Sequence, residues 1–439
     1  MNYTDEQIRA INSRKKNILV SASAGSGKTA VLVERIIKIV TDEKNPVDIN
    51  KLLAVTFTDA AAIQMKKRIA AALYAQKPTD FIKRQIILLN DANICTIHSF
   101  CMKMVRKFFY LVDIDPNFRI AQENEIELLK SDVLDKMLEE EYAKARPIFF
   151  ETVMAYNTDK IQSDDLKKLI LDIYDFSRSI PNSAAWLKKC ANNFILAEDT
   201  KLEETIWWKK LLPHIKNLVE QINYLILDSI QKCHEDFGPE KYLAALEDDK
   251  NFVEHLEKFI YKDFDMAREI LNQHNFQKLF SYTKKNSDEI DLDLKNAVQE
   301  NRKEFKKLIQ NLQEKIFFAK SKFILQNIAD SYPIINEISE LVTKFHDVFM
   351  QKKLEQNILS FDDLEEFTLE ILSKKKILEP FVEILIDEYQ DINDVQEKIL
   401  SLIPCKSKFM VGDVKQSIYG FRNSSPQLFI QKYNTYGKI

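Results

Sequence analysis

Residues 17–29 of the chain read NILVSASAGSGKT, an apolar run that leads through a glycine-containing turn to Lys28 and Thr29. The apolar residues predict a short buried strand, and the residues from Lys28 to about Val40 predict a helix. In such a unit the backbone N–H groups of the loop point inward and bind phosphate at the helix N-terminus. The segment therefore predicts an α/β fold with a phosphate-binding loop.

The residues expected to contact the nucleotide are those of the whole loop: Ala22, Ser23, Ala24, Gly25, Ser26, Gly27, Lys28 and Thr29. In loops of this pattern the lysine reaches the β- and γ-phosphates, and the hydroxyl after it coordinates Mg²⁺. Ala22 stands where the strict pattern has glycine, but it lies at the strand exit, where a small residue suffices. The loop predicts a nucleoside triphosphatase without identifying its class.

A second segment, residues 384–391, reads ILIDEYQD and places two adjacent acids at the end of an apolar strand. Such a strand end brings one carboxylate near the metal and the next near the attacking water. Asp387 is therefore the expected Mg²⁺ ligand, acting through the metal's water shell, and Glu388 is expected to orient or deprotonate the water. Adjacent acids alone are common on protein surfaces, and the phosphate loop makes this interpretation specific.

A third segment, residues 411–422, reads VGDVKQSIYGFR. The amide of Gln416 follows a predicted strand within one turn, and from there it can bind a γ-phosphate. Tyr419, Phe421 and Arg422 supply aromatic faces and a cation, which are the groups that stack unpaired bases. Four of the six glycines in the chain lie in this segment and in the phosphate loop, which marks both as ligand-facing turns.

The order of the predicted elements indicates how the chain is organised. Strands and helices alternate near both ends, which predicts a parallel sheet covered on both faces. The long middle stretch is rich in Lys and Glu and mostly of helical period. We therefore expect an α/β domain, formed by residues 1–115 and 356–439, that carries a large inserted all-helical domain at residues 116–355.

The composition indicates the cellular compartment in which the protein is expected to work. The chain has 439 residues, a net charge of −4 and five cysteines without paired spacing, which suits a reducing compartment. No apolar run is long enough to span a membrane, and the first residues do not resemble a secretion signal. We expect a cytoplasmic protein without a membrane partner, in which local contacts hold any nucleic acid.

The three segments, together with VTFTDAAAIQMKKRI (55–69) and TIHSFC (96–101), resemble the UvrD/RecB class of superfamily 1 helicases. RKFFYLVDIDPNFRIAQENE (106–125) and YDFSRSIPN (174–182) extend the resemblance to AddA-type subunits of bacterial AddAB helicase–nuclease complexes. The resemblance implies a RecA-like P-loop NTPase domain that uses ATP and Mg²⁺. It also implies 3′→5′ movement on DNA in double-strand-break repair and, in the parent protein, an exonuclease.

Further site residues follow from the resemblance. Gln7 matches the glutamine that reads adenine in this class. Phe57, Thr58, His98 and Ser99 match segments that face single-stranded DNA, and Tyr419, Phe421 and Arg422 match its base-stacking residues. The implied partners are single-stranded and duplex DNA and an AddB-like protein.

The chain ends soon after the third segment, so we expect the second motor domain and the nuclease domain to be absent from it. The resulting prediction is a chain that binds ATP with Mg²⁺ weakly, hydrolyses it very slowly and does not unwind DNA. The alternatives are a stand-alone UvrD-like or RecB-like helicase and, for this chain, a module that binds DNA or a partner protein. Neither a kinase nor a small-molecule NTPase explains QSIYGFR and TIHSFC.

Overall fold

The computed structural model describes residues 3–14, 16–23, 25–156, 164–282, 290–374, 378–417 and 424–436. Among these residues, five strands form one parallel sheet: β1 (Ile18–Ser21), β2 (Leu52–Thr56), β3 (Asn93–Thr96), β6 (Phe381–Ile386) and β7 (Cys405–Gly412). Their order in the sheet is β1-β7-β6-β2-β3. A separate parallel pair joins β4 (Arg119–Ile120) to β5 (Ile358–Leu359). The predicted α/β class with a parallel sheet is confirmed.

Because all five strands run parallel, their carboxyl ends lie along the same edge of the sheet. The phosphate loop follows β1, the acidic pair follows β6, and the segment that carries Gln416 follows β7. The predicted DNA-facing segments follow β2 and β3. Ligands of open α/β sheets bind at this edge. The parallel arrangement of the strands therefore places the candidate residues that follow them in one region.

The chain divides into two compact units, the first at residues 1–188 and 337–439 and the second at residues 189–336. The helices that lie within the first unit are α1 (Asp5–Asn12), α2 (Lys28–Val40), α3 (Asp59–Tyr74), α4 (Asp80–Leu88), α5 (Ile97–Lys107), α6 (Glu123–Lys144), α7 (Pro147–Tyr156), α8 (Asp164–Ser177), α15 (Phe361–Lys374), α16 (Asp394–Leu402) and α17 (Pro426–Thr435). Helices α9 (Ser183–Asn192) and α14 (Ser321–Glu355) cross the boundaries of the two units.

Alternate residues of each strand point to opposite faces of the sheet, and each face has its own apolar core. On β2, Leu53 and Val55 face one core while Leu52 and Ala54 face the other. Helices α1 to α4 cover the second face, and α5, α15, α16 and α17 cover the first. Strand β2 is buried along its whole length because helices cover both sides.

The second unit is helical in its described residues. It contains α10 (Ile206–His234), α11 (Leu243–Glu257), α12 (Phe264–Gln273) and α13 (Leu292–Asn311), the last followed by a π-helical turn at Leu312–Ile316. Trp208, Phe264 and Phe317 meet in its core, with ring centroids 4.7 to 6.3 Å apart. Inside this unit, Arg302 donates to both oxygens of Asp249 at 2.6 and 3.0 Å.

The boundaries of the two compact units differ from the domain boundaries expected from the sequence. Residues 116–188 and 337–355 fall in the first unit, and the short strand β4 lies within the stretch expected to be helical. A strand of two residues is too short to show a periodic pattern. The domain assignment at residues 116–355 stays a prediction. Among the described residues, no helix is both long and apolar enough for a membrane span.

Candidate nucleotide and DNA site

The phosphate loop lies between β1 and α2, as predicted. Gly25 and Gly27 have positive φ angles of 73° and 82°, which side-chain-bearing residues rarely adopt. Gly27 is the N-cap of α2 and has no side chain to bind the first amides of the helix. The hydroxyl of Ser26 is buried and has no hydrogen-bond partner. The first backbone amides of α2 and the Ser26 hydroxyl are therefore available to bind an anion. Ala24, also predicted to contact the nucleotide, lies outside the described residues.

Lys28 joins the other two predicted motifs. Its Nζ donates to Glu388 Oε2 at 2.9 Å and to Gln416 Oε1 at 3.3 Å. The Lys28 side chain is 8% exposed while that of Glu388 is 35% exposed. An ammonium group held near the end of a phosphate-binding loop is suited to bind phosphate oxygens.

Thr29 and Asp387 form the candidate metal pair. Thr29 Oγ1 donates to Asp387 Oδ2 at 3.4 Å, and the backbone N–H of Asp387 donates to Val55 O at 2.9 Å. Burial raises the pKa of Asp387 to about 6, the charge of Glu388 adds to the increase, and Lys28 opposes it. A divalent cation beside this carboxylate would favour its ionised form.

The donor groups present fit a triphosphate with its metal. Lys28, the Ser26 hydroxyl without a partner and the uncapped amides of α2 suit phosphate oxygens. The hydroxyl of Thr29 and the carboxylate of Asp387 are hard oxygen ligands, which Mg²⁺ prefers.

Glu388 adopts an unusual backbone conformation. Its φ and ψ angles are 50° and 47°, in the left-handed region, which is uncommon for a residue with a side chain. Such conformations cost about 1–3 kcal/mol each and cluster at functional sites. The conformation lets Asp387 and Glu388 leave the strand end in different directions, and the Glu388 carboxylate meets Lys28.

Gln7 lies beside the phosphate loop. It is the N3 residue of a capping box at the start of α1, where its Oε1 accepts from the N–H of Thr4 at 2.9 Å. Its Nε2 donates to the backbone carbonyl of Ser26 at 2.8 Å. Gln7 therefore binds the loop itself, with one N–H and one carbonyl lone pair left over for another partner.

The predicted DNA-facing residues lie at the ends of the neighbouring strands β2 and β3. Phe57 is half-buried and Thr58 is the N-cap of α3, with Oγ1 accepting from Ala61 N at 3.1 Å. Ser99 lies in the first turn of α5, and its hydroxyl donates to Asp59 Oδ1 at 3.4 Å. The two segments are thus joined through Asp59, in the first turn of α3.

His98 contacts two residues of α15 that are not among the predicted site residues. Its Nε2 lies 3.1 Å from Oε1 of Glu365, a buried carboxylate. Its ring lies 4.9 Å from that of Phe361, which is 49% exposed. The contact between Phe361 and His98 depends on the packing of α15 against α5, which local sequence patterns do not show.

The structure also shows site residues that local sequence patterns did not indicate. Gln390 and Asp413 lie within the quoted motifs, and both contact the nucleotide site residues through hydrogen bonds. Their polar character was visible in the sequence, but their partners were not. Tyr419, Phe421 and Arg422, predicted to stack bases, lie outside the described residues.

One other group of potential metal ligands occurs in the described part of the chain. Donor atoms of Asp248, Asp249 and His274 lie within 4.8 Å of one another. The guanidinium of Arg302 already balances the charge of Asp249, and burial lowers the pKa of His274. We interpret this group as a structural ion pair beside a neutral histidine.

Comparison with known proteins places this geometry in a family. The family model described as the UvrD/REP helicase N-terminal domain matches residues 3–308 and 242–437. An ATP-dependent helicase/nuclease subunit of Clostridium botulinum is 39% identical over 457 residues, which cover 99% of this chain and 36% of that protein. The protein of the same name from Geobacillus thermodenitrificans is 40% identical over 458 residues, covering 99% of this chain and 37% of its own length.

This chain therefore spans little more than a third of the length of these relatives. The family match, in contrast, takes in nearly all of its residues. The chain belongs to the UvrD/REP helicase family.

Proposed function

We propose that this chain is the ATP-binding motor portion of a DNA helicase that acts in double-strand-break repair. The observation that carries the proposal is the meeting of Lys28 with Glu388 and Gln416, and of Thr29 with Asp387, at one edge of the sheet. These residues come from three strand ends and supply the groups that bind and hydrolyse a nucleoside triphosphate.

Each residue has a definite role in this proposal. Lys28 and the loop from Ala22 to Thr29 hold the phosphates, and Gln7 contacts the adenine. Thr29 and Asp387 hold Mg²⁺, which neutralises phosphate charge. Glu388 orients the lytic water and takes its proton, and Gln416 binds the γ-phosphate.

The proposed track for single-stranded DNA uses Phe57, Thr58, His98 and Ser99. Phe361 extends it, because its ring lies against that of His98 and the residue is 49% exposed, so that a base could stack there. Tyr419, Phe421 and Arg422 would complete the stacking surface.

Other parts of the proposal rest on the relatives, which are named helicase/nuclease subunits. We propose that the parent protein moves 3′→5′, also has exonuclease activity, binds duplex DNA and works in the cytoplasm with an AddB-like partner. Residues 1–115 and 356–439 would form the first motor domain and residues 116–355 its helical insertion.

The test is equilibrium binding of Mg·ATP and of single-stranded DNA to the chain. Lys28→Ala should abolish measurable ATP binding, and Lys38→Ala, an exposed lysine on the same helix, should not. Glu388→Gln should bind ATP and lose the residual hydrolysis. ATP binding that is indifferent to Lys28 would refute the proposal, and DNA binding without any ATP binding would favour a DNA- or partner-binding module.

A further inference from the structure

Gln390 is held at three points between the ends of β6 and β7. Its Nε2 donates to Glu388 Oε2 at 2.9 Å and to Asp391 Oδ2 at 3.1 Å. Its Oε1 accepts from the backbone N–H of Asp413 at 2.9 Å. Gln390 is 1% exposed, so its amide is shielded from water. Both amide protons and the carbonyl are used, which leaves the amide a single orientation.

These bonds close a ring around the nucleotide site. From Glu388 the ring passes through Gln390 to the backbone of Asp413, whose Oδ2 accepts from Gln416 Nε2 at 2.6 Å. Gln416 Oε1 accepts from Lys28, which also donates to Glu388 and completes the circuit. The ring contains every residue assigned a role at the γ-phosphate.

Lys28 cannot keep all of its partners when it binds phosphate. An ammonium group has three protons, so contacts to a β- and a γ-phosphate oxygen would leave at most one proton for Glu388 or Gln416. The path through Gln390 does not involve Lys28 and stays intact. It then fixes the Glu388 carboxylate relative to the segment that carries Gln416.

Gly412 explains how the amide of Gln390 comes so close to β7. A Cβ at this position would lie 2.4 Å from Gln390 Oε1, far inside van der Waals contact, and 3.2 Å from the backbone N of Tyr389. Any larger residue at 412 would push the amide away from Asp413. The glycine is required here by close approach and not by its backbone angles.

From this geometry we propose that Gln390 is a positioning residue that couples Glu388 to the γ-phosphate-binding segment Asp413–Gln416. The inference rests on the proposed function, since it assumes that a triphosphate binds at Lys28. Gln390 itself does not touch the nucleotide. Its effect is to make the site respond to a γ-phosphate by holding Glu388 and Gln416 in one arrangement.

The test compares the affinity of the chain for Mg·ATPγS and Mg·ADP by fluorescence titration. Gln390→Met keeps the length of the side chain and removes all three hydrogen bonds. We expect the ratio of its affinity for ATPγS to its affinity for ADP to fall about fivefold, while the affinity for ADP itself changes by about twofold or less. Gly412→Ala should reproduce the loss, and Glu379→Gln, a remote exposed acid, should not.

Gln390→Glu supplies a readout that a loss of folding cannot mimic. Its ionised carboxylate repels Glu388 and cannot donate, whereas its protonated form can donate to Glu388 as the amide does. The preference for ATPγS should be lost at about pH 8 and should recover toward about pH 6, relative to the unaltered chain at each pH. This comparison within one variant holds even if Gln390→Met is destabilised.

The outcomes separate the inference from the proposed function. If Gln390→Met and Gln390→Glu both keep the full preference at each pH, the positioning role is wrong while the nucleotide site stands. If the unaltered chain binds neither nucleotide, both the proposed function and this inference are refuted.

Discussion

Arg35 of α2 and Glu383 of β6 form a two-point ion pair in the core of the first unit. Arg35 Nε donates to Glu383 Oε2 at 2.7 Å, and Nη2 donates to Oε1 at 2.8 Å. Their side chains are 0% and 2% exposed. Helix α2 begins with Lys28, and Asp387 directly follows β6. The pair therefore joins the helix of the proposed phosphate-binding lysine to the strand that precedes the proposed metal-binding carboxylate.

Glu383→Gln is expected to lower the free energy of unfolding by about 3–5 kcal/mol, because it leaves the buried guanidinium without its counter-charge. Urea unfolding followed by circular dichroism measures the change. Glu379→Gln removes an exposed partner of Lys51 and should change it by about 0.5 kcal/mol or less. The double variant Arg35→Leu with Glu383→Leu should be less destabilised than the sum of the single changes, and simple additivity would contradict a direct pair.

Asp387→Asn is expected to stabilise the chain at neutral pH when nucleotide and Mg²⁺ are absent. Folding raises the pKa of this carboxyl from 3.8 to about 6, so ionisation opposes folding once the pH exceeds the unfolded value. The gain, about 3 kcal/mol, should be nearly full above about pH 6 and should vanish below about pH 4. Thermal unfolding across this range checks the sign, and a gain that grows as the pH falls would contradict it.

Mg²⁺-dependent nucleotide binding should weaken as the pH falls below about 6, since a proton then competes with the metal for Asp387. Isothermal titration with Mg·ADP at several pH values measures this. Burial also raises the pKa of Asp391 to about 6, which makes Asp391→Asn the matched control. This variant should keep the Mg²⁺ requirement and its pH dependence, whereas Asp387→Asn should lose the requirement.

Phe361→Ala is expected to weaken binding of single-stranded oligonucleotide by about 1–3 kcal/mol, the usual contribution of one base–aromatic stack. Phe361→Tyr should retain binding because it keeps the ring. Tyr74→Ala removes an exposed aromatic at the end of α3 and should have no effect. Fluorescence anisotropy gives the affinities, and equal binding by the Phe361→Ala variant would remove Phe361 from the proposed track.

Asp363→Asn is expected to destabilise the first unit by about 3–5 kcal/mol, because it leaves a buried cation unpaired. Lys353 Nζ donates to both Asp363 oxygens at 2.6 Å, and the two side chains are 1% and 0% exposed. Arg178 Nη2 adds a third bond to Asp363 at 3.1 Å. Glu370→Gln, on the exposed side of the same helix, is the control, and equal unfolding midpoints for the two variants would contradict the expectation.

The local elements near both chain ends could be predicted from the sequence because their signals are local. The helix expected from Lys28 to about Val40 occupies Lys28–Val40, and the apolar run before the phosphate loop forms the expected strand, Ile18–Ser21. Apolar runs and a glycine turn act over a few residues, so spacing alone reveals them. The same local patterns marked the loop at 22–29, Asp387, Glu388 and Gln416 as site residues.

The sequence by itself determined the α/β class, the phosphate loop and the polar residues at the strand ends, since each depends on neighbours along the chain. Only the tertiary structure decided how they meet. Glu383 reaches Arg35 across 348 residues, and Gln390 reaches the Asp413 backbone through the pairing of β6 with β7. The strand order β1-β7-β6-β2-β3 follows from packing of the whole sheet. No spacing along the chain encodes that order, so the partners of Gln390, Arg35 and Phe361 could be identified only from the folded chain.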